Sequence, residues 1–191
     1  MSFFVGDWGM SLLGLRSGAV FTCSGADIDG EKIVLHELTE LDADPQVSPI
    51  MDDRYDVIKQ RRRQGHEIFG YEKDGIIVAY FWVTKTGNLT PIVYNLKFKV
   101  PSNSIYIWDC RTHDKYRNKG IFAAGIRSIS AMNLAENILI AANSDNHASN
   151  KAIKNVGFVE KYMSYYGIRF PIIPKIRIPI FPTITWKKYY K

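Results

Sequence analysis

The stretch of chain between residues 104 and 136 constrains the fold more than any other part of the sequence. An alternating apolar run at Ser104–Thr112 predicts a β-strand, the polar run Lys115–Gly120 predicts a loop, and apolar residues at helical spacing over Ile121–Glu136 predict a helix. The first turn of a helix presents backbone N–H groups that have no partner inside the helix. Because Gly120 has no side chain, an anion can approach these groups closely.

The loop before this helix also carries positive charge. Arg117 and Lys119 lie beside Gly120, so the segment predicts a turn that binds a phosphate group. The alternative is an ordinary tight turn whose basic side chains are solvated. The sequence contains neither a Walker P-loop nor a G-x-G-x-x-G fingerprint, which argues against the commonest nucleotide-binding folds.

The remaining elements predict a mixed sheet. Upstream, the sequence predicts a strand at Lys32–Thr39 and a helix at Asp52–Gln64. A hairpin follows, with strands at Glu67–Tyr71 and Ile76–Thr84 and an Asp-Gly turn between them, and then a further strand at Ile92–Val100. Downstream, it predicts a strand at Ile138–Ala142, a helix at Asn146–Val156 that ends at Gly157, and a last strand at Phe158–Ile168. This order predicts an α+β fold, in which helices pack on a mixed sheet.

Length and composition bound the organisation of the chain. At 191 residues we expect a single domain, with residues 1–30 as an N-terminal arm. Residues 170–191 form an apolar, proline-rich segment that only the edge of a sheet can accept. Two cysteines are too few for a disulfide framework or a cysteine zinc site, and the histidines lack metal-ligand spacing. We therefore expect no metal and a reducing, cytoplasmic location.

The charge of the chain points to an anionic partner without choosing one. The net charge is +6 and the pI is near 9.2. The only compact basic run, Lys59–Arg63, is typical of the solvated end of a helix, and no nucleic-acid-binding motif is present, so we expect no nucleic acid partner. No apolar stretch is long enough for a transmembrane segment.

A second motif follows one strand after the basic loop. Asn146, Ser149, Gly157 and Phe158 fit the pattern Asn-x-x-Ser-x-x-x-x-x-x-x-Gly-Phe, and Tyr116–Ile121 looks like the acyl-CoA loop R/Q-x-x-G-x-G/A. With both motifs in this order, residues 104–168 resemble the GNAT acyltransferase superfamily. The resemblance implies a mostly antiparallel central sheet that is splayed open at the donor site, with helices on both faces. It also implies an enzyme that uses acetyl-CoA or another acyl-CoA, without a metal.

The resemblance further implies where the donor binds. Pantetheine would enter between the strand that ends at Thr112 and the strand Ile138–Ala142, and the pyrophosphate would rest on amides at the start of the helix. The implied donor-binding residues are Cys110, Arg111, Thr112, Arg117, Asn118, Lys119, Gly120, Ile121, Phe122, Ala123, Asn146 and Ser149.

The reaction implied by the resemblance is direct attack of a neutral amine on a thioester, which requires a base and is assisted by an acid that protonates the leaving thiolate. The candidate bases are Asp109, which could instead pair with Arg111 or face solvent, and His113. Many members of the family place the acid, a tyrosine, where this chain has Ile153. The candidates that remain are Ser149 and, on the following strand, Tyr162, Tyr165 and Tyr166. Cys110 is interpreted as a small buried hydrophobe, not as a nucleophile.

Three functions stay open. The first is N-acetylation of a small-molecule amine, such as an aminosugar, by acetyl-CoA. The second is transfer of a longer acyl chain from acyl-carrier protein or acyl-CoA, which requires an elongated apolar tunnel beside Asn146. The third is a catalytically silent binding module, which Ile153 makes conceivable. The apolar C-terminal segment is compatible with a homodimer.

Overall fold

The computed structural model describes residues 15–25, 28–44, 46–51, 54–91, 97–160, 165–169 and 177–179. Three α-helices lie in this part of the chain: α1 (Tyr55–Arg63), α2 (Ile121–Ala131) and α3 (His147–Val156). Its strands are β1 (Leu15–Ser24), β2 (His36–Glu37), β3 (His66–Lys73), β4 (Ile76–Lys85), β5 (Leu89–Pro91), β6 (Lys97–Lys99), β7 (Ser104–Thr112), β8 (Asn137–Asn143), β9 (Val159–Glu160), β10 (Tyr165–Arg169) and β11 (Arg177–Pro179). Two short 3-10 helices occupy Glu40–Ala43 and Asp114–Tyr116.

The main sheet is mixed and mostly antiparallel, as predicted. Its strands run in the order β11-β10-β1-β8-β7-β4-β3-β2, and β9 pairs with β1. The pair of β7 and β8 is parallel, whereas the other adjacent pairs are antiparallel. β5 and β6 form a separate two-stranded hairpin. The predicted hairpin of β3 and β4 turns at Asp74 and Gly75, whose φ angles of 56° and 76° suit a tight turn with left-handed residues.

The two faces of the sheet carry different helices. Along β7, Ile105 and Ile107 pack with α2 and α3, whereas Tyr106 and Trp108 point to the opposite face, where Ile58 of α1 is buried. This division follows from the alternation of side chains along a strand. The α+β architecture with helices on both faces is therefore confirmed.

Several element boundaries differ from the prediction. The helix expected over Ile121–Glu136 ends at Ala131, because Asn133 adopts a left-handed φ of 52° that an α-helix cannot continue through. The strand expected over Lys32–Thr39 is reduced to His36 and Glu37, with one further hydrogen bond from Leu38 N–H to the Ile68 carbonyl, so the alternation there predicted too much strand. The segment assigned to an N-terminal arm contains β1, which lies inside the sheet between β10 and β8.

Two predictions fall partly on residues outside the described ranges. Residues 92–96 of the strand Ile92–Val100 and residues 161–164 of the strand Phe158–Ile168 are among them, and so is most of the segment 170–191. Of that last segment the structure describes Arg177–Pro179, which forms the edge strand β11. None of the helices in the described residues has the length and apolarity that a membrane span needs.

Candidate active site

Strands β7 and β8 separate part-way along their length. They pair over four positions, from Ser104 opposite Asn137 to Ile107 opposite Ile140. Beyond this point β7 continues to Thr112 and β8 to Asn143 without pairing with each other. Backbone groups that face this gap have lost a ladder partner, so they can pair with an extended ligand. The splayed sheet that the resemblance implied is present.

A cavity of about 460 Å³ lies at the outer end of this gap, and we call it the loop cavity. Its lining consists of Cys110, Arg111, Thr112, Tyr116, Arg117, Asn118, Gly120, Ile121, Phe122, Ala123, Asn146, Ala148, Ser149 and Ala152. The lining includes every residue predicted to bind the donor except Lys119. The Nζ atom of Lys119 lies 5.1 Å from the centre of the Tyr116 ring instead.

The start of α2 is shaped for an anion. Gly120 has a left-handed φ of 76°, and a Cβ built on it would meet no atom within 4 Å. The carbonyl of Gly120 accepts the N–H of Ala124, at 2.9 Å, so the preceding amides at the start of the helix have no helical carbonyl to pair with. These amides adjoin the loop cavity, where the helix dipole favours negative charge.

The basic side chains of the loop are partly engaged within the protein. Arg117 forms an ion pair with Asp114, at 2.8 Å, and its Nε donates to the carbonyl oxygen of Thr112, at 3.3 Å. The side chain of Arg117 is 56% exposed, so the Asp114 carboxylate competes with a ligand only weakly. Backbone amides therefore form the fixed part of this anion site, and Arg117 adds charge at its rim.

A second cavity of about 690 Å³ adjoins the first, and we call it the central cavity. Four residues, Cys110, Phe122, Asn146 and Ser149, line both cavities. The other residues that line the central cavity are Arg54, Val57, Arg61, Tyr106, Ile107, Trp108, Asp109, Ile140, Ala141, Ala142, Asn143 and Ile153. The two cavities together follow the gap between the strands from one side of the sheet to the other.

A β-bulge in β7 places an acidic side chain on the wall of the central cavity. Tyr80 pairs with Arg111 and Trp82 with Trp108, so Asp109 and Cys110 together lie opposite a single residue of β4. Asp109 has a φ of 41°, which an aspartate adopts more readily than most residues. Because of this bulge, the side chains of Trp108 and Asp109 both contact residues of α1.

Asp109 is held by two arginines. Its Oδ2 atom lies 2.5 Å from Nη1 of Arg61 and 3.5 Å from Nη1 of Arg54. The pairing with Arg111 that the sequence left open does not form, since Arg111 donates to the carbonyl of Ile50, at 3.4 Å. Among the residues that the structure describes, both arginine contacts fall on Oδ2, so the other carboxylate oxygen, Oδ1, is left for a ligand.

A buried polar chain fixes the wall behind Arg61. The guanidinium of Arg61 lies 4.5 Å from the Trp108 ring centre. The indole N–H of Trp108 donates to Oγ1 of Thr84, and this hydroxyl bonds to Nδ1 of His66, each over 2.8 Å. Burial, followed by the charge of Arg61, lowers the pKa of His66, which favours the neutral ring in this buried chain.

The structure separates the three candidate catalytic residues. Asp109 and Ser149 both line the central cavity. His113 lines neither cavity, and its Nδ1 accepts the N–H of Lys115, at 3.2 Å, as the cap of a 3-10 helix. Ser149 lies in the first turn of α3, where its N–H donates to Oδ1 of Asn146, at 3.1 Å. Tyr162 and the side chains of Tyr165 and Tyr166 lie outside the described residues.

Ile153 has the environment that its apolar interpretation predicts, whereas Cys110 is half-buried and lines both cavities. Ile153 is fully buried in the core on the α2 and α3 face. Burial, with a contribution from Asp109, strongly raises the pKa of the Cys110 thiol. The thiol therefore stays protonated and is a poor nucleophile.

Sequence reasoning missed Arg54 and Arg61. The basic run Lys59–Arg63 was interpreted as a solvated helix end, yet Arg61 lies over Trp82 and Trp108, at 5.0 and 4.5 Å from the ring centres. The signal that could have found it is the alternation of aromatic residues on the two neighbouring strands, because such a ladder attracts a planar cation.

Comparison with known proteins now decides the family. Residues 35–158 match the model of the Acetyltransferase (GNAT) family. The chain belongs to this family. This match confirms the GNAT assignment that the resemblance implied, and the matched residues include the lining of both cavities. None of the proteins of curated function matches the sequence significantly.

Solved structures support the GNAT fold at low sequence identity. A protein classed in the GNAT family from Novosphingobium aromaticivorans is 16% identical, with a TM-score of 0.54 over 78% of this chain and 62% of the other. A GNAT acetyltransferase from Colwellia psychrerythraea is 13% identical, with a TM-score of 0.55 over 79% of this chain and 55% of the other. A ribosomal-protein-alanine N-acetyltransferase from Brucella melitensis biovar Abortus is 17% identical, with a TM-score of 0.53 over 73% and 100%. This chain thus spans less than two thirds of the first two proteins.

Two features distinguish this GNAT chain. Phe122 stands at the last position of the acyl-CoA loop pattern, where the pattern has a small residue, and its ring stacks on Phe81 with centres 6.4 Å apart. Ile153 stands at the position of the usual tyrosine acid. No group of His, Cys, Asp and Glu side chains suited to a metal ion occurs among the residues that the structure describes.

Proposed function

We propose that this protein is an N-acetyltransferase, which transfers the acetyl group of acetyl-CoA to the amine of a small molecule in a ternary complex. The observation that supports this most is the continuity of the two cavities across the splayed strands. A donor whose anionic end rests on the start of α2 can extend its thioester to Cys110 and Ser149, where an acceptor in the central cavity would meet it.

The donor would be held chiefly by backbone groups. The pyrophosphate would bind the amides of Ile121, Phe122 and Ala123, with Arg117 at the rim. Pantetheine would pair with the edge of β7 that faces the gap. The acetyl methyl would contact apolar side chains that line the central cavity, which include Ile107, Ile140 and Ile153.

The transfer requires no covalent enzyme intermediate. The neutral amine nitrogen attacks the thioester carbonyl, a C–N bond forms, and the C–S bond breaks to release the thiolate of coenzyme A. The attacking nitrogen loses one proton and the thiolate gains one. The raised pKa of the Cys110 thiol supports direct attack, because a protonated thiol is a poor nucleophile.

We propose that Asp109 accepts the proton of the acceptor ammonium, directly or through a water molecule. Asp109 is the one carboxylate among the described residues that line the central cavity, and both arginine contacts fall on its Oδ2 atom, not on Oδ1. Backbone donors along the open edge of β7 would stabilise the oxyanion. Among the described residues, Ser149 has the hydroxyl group that lines both cavities. We therefore propose that Ser149 donates a proton to the leaving thiolate.

The experiment that tests this function has two parts. Calorimetry should show that acetyl-CoA binds and raises the melting temperature, and release of free thiol should follow when an amine is added. No binding at saturating acetyl-CoA would contradict the proposal. Asp109→Asn should lower kcat, whereas His113→Asn, outside both cavities, should leave kcat unchanged.

A longer acyl donor remains the second candidate, with acyl-CoA or acyl-carrier protein as its source. Native mass spectrometry of the purified protein separates the two, because the mass of a co-purifying thioester or fatty acid gives the chain length. The presence of Arg54, Arg61 and Asp109 on the central cavity favours the acetyl group, since a long chain would need apolar walls.

A further inference from the structure

We infer that the acceptor amine also carries a carboxylate, and that Arg54 binds this carboxylate at the central cavity. The inference rests on the proposed function and names the class of acceptor. It follows from the charges that line the cavity, from the difference between the two arginines, and from the distance between Arg54 and Asp109.

The charges of the central cavity do not suit a simple cation. Among the described residues that line it, Arg54, Arg61 and Asp109 carry charge, which leaves one positive charge in excess. An acceptor that arrives as an ammonium ion alone would meet two guanidinium groups and one carboxylate. An acceptor that carries one ammonium and one carboxylate can pair with both signs, so the excess charge favours it.

Arg61 is already committed to the protein. Its guanidinium is 2.5 Å from Asp109 and lies over the rings of Trp82 and Trp108. Its side chain is 22% exposed. A ligand that bound the guanidinium of Arg61 would have to break these contacts. We therefore infer that Arg61 holds Asp109 and the helix α1 in place and does not bind the acceptor.

Arg54 is differently placed. Its contact with Asp109 is longer, at 3.5 Å, and its side chain is 34% exposed. Within the described residues, the hydrogen bonds of Arg54 all leave from Nη1, which donates to the hydroxyl of Tyr80, at 2.9 Å, and to Asp109. The Nη2 and Nε donors therefore remain for a ligand, and two parallel donors of a planar guanidinium match a carboxylate.

Tyr80 positions Arg54 before a ligand arrives. The tyrosine is 1% exposed, and its ring centre lies 5.9 Å from the guanidinium carbon. Since Tyr80 also accepts the Nη1 hydrogen bond, the guanidinium is held by a rigid side chain. A pre-positioned cation loses little conformational entropy on binding, which raises its affinity for the ligand.

The distance between the two groups limits the acceptor. Arg54 and the carboxylate of Asp109 are in contact, so an ammonium at Oδ1 and a carboxylate at Nη2 would lie close together. The amine and the carboxylate of the acceptor must therefore be separated by few bonds, as they are in α- and β-amino acids.

The test compares amino acids with their carboxamides, which keep the amine and lack the carboxylate. Binding of each α-amino acid, of β-alanine and of the matching amides is measured by calorimetry on protein saturated with coenzyme A. We expect at least one amino acid to bind at least about tenfold tighter than its amide, which is the gain expected of a charged hydrogen-bonded pair. Arg54→Ala should remove this preference, whereas Arg63→Ala, at the far end of the helix that follows Arg54 and outside the central cavity, should keep it.

The outcomes separate the inference from the proposed function. If acetyl-CoA binds but no amino acid binds more tightly than its amide, or if amines that carry a phosphate are preferred, the inference fails and the acetyltransferase proposal stands. A preference that survives in Arg54→Ala also overturns the inference. If acetyl-CoA itself does not bind, the proposed function fails, and the inference fails with it.

Discussion

The guanidinium of Arg61 lies 2.5 Å from the carboxylate of Asp109, although 48 positions separate the two residues in the chain. The contact ties helix α1 to the bulge in β7 and sets the position of the carboxylate on the central cavity. It forms where the sheet is interrupted, because the extra residue of the bulge turns Asp109 toward α1.

Removal of this contact should loosen α1 and misplace Asp109. Arg61→Met should lower the free energy of unfolding by about 1–2 kcal/mol, since it removes a half-buried ion pair and stacking on two indole rings. The matched variant Arg63→Met, at an exposed position of the same helix, should change stability by less than about 0.5 kcal/mol. Urea unfolding measures both. Equal losses in the two variants would contradict the role of Arg61.

Gly120 offers a direct test of the donor site. Gly120→Asn should abolish binding of acetyl-CoA, because the new side chain would enter the space of the pyrophosphate. Gly75→Asn is the matched control, since Gly75 has the same φ of 76° and an equally open Cβ position, but lies in the β3–β4 turn. Calorimetry with acetyl-CoA distinguishes the two. Normal binding by Gly120→Asn would show that the loop does not hold the donor.

Ile153 should matter for stability and not for proton transfer. Ile153→Ala removes a fully buried side chain from the core and should cost about 2–4 kcal/mol, whereas Ile153→Val should cost about 0.5–1.5 kcal/mol. The pH profile of turnover should keep its shape in both variants. A titrating group that disappears in Ile153→Ala would mean that this position contributes to proton transfer.

Acid should destabilise the protein through His66. The pKa of His66 is lowered in the folded state below its ordinary value of 6.5. Below that pH the unfolded chain takes up a proton that the folded protein does not, so stability falls as the pH decreases toward the folded-state pKa. Between about pH 7.5 and about pH 5.5, His66→Gln should lose less stability than the wild type. His147→Gln, at an exposed position, should behave like the wild type.

Gly125 should tolerate no side chain. A Cβ at this position of α2 would lie 2.1 Å from Cζ of Phe81, inside the core of the α2 and α3 face. Gly125→Ala should therefore lower the free energy of unfolding by about 1–3 kcal/mol, even though alanine is the better helix former. Gly25→Ala is the control, because its Cβ would meet ordinary contacts at 3.6 Å. A stabilised Gly125→Ala would show that the helix packs less closely on β4.

Local patterns in the sequence determined the elements that carry the family motifs. The alternation at Ser104–Thr112, the Asp-Gly turn before Ile76 and the left-handed stop at Gly157 each depend on neighbouring residues only. Eleven of the twelve residues predicted to bind the donor line the loop cavity for the same reason, because they lie in or beside contiguous motifs on β7, α2 and α3.

Only the tertiary structure decided which side chains meet at the central cavity. A bulge shifts the register of β7 against β4 by one residue, and this shift brings Asp109 to Arg54 and Arg61. No local pattern in the sequence predicts that shift. The interior position of β1 was likewise decided by its pairing with β8, more than a hundred residues away. Short-range periodicity specifies strands and helices, whereas register and long-range pairing depend on which surfaces exclude water together.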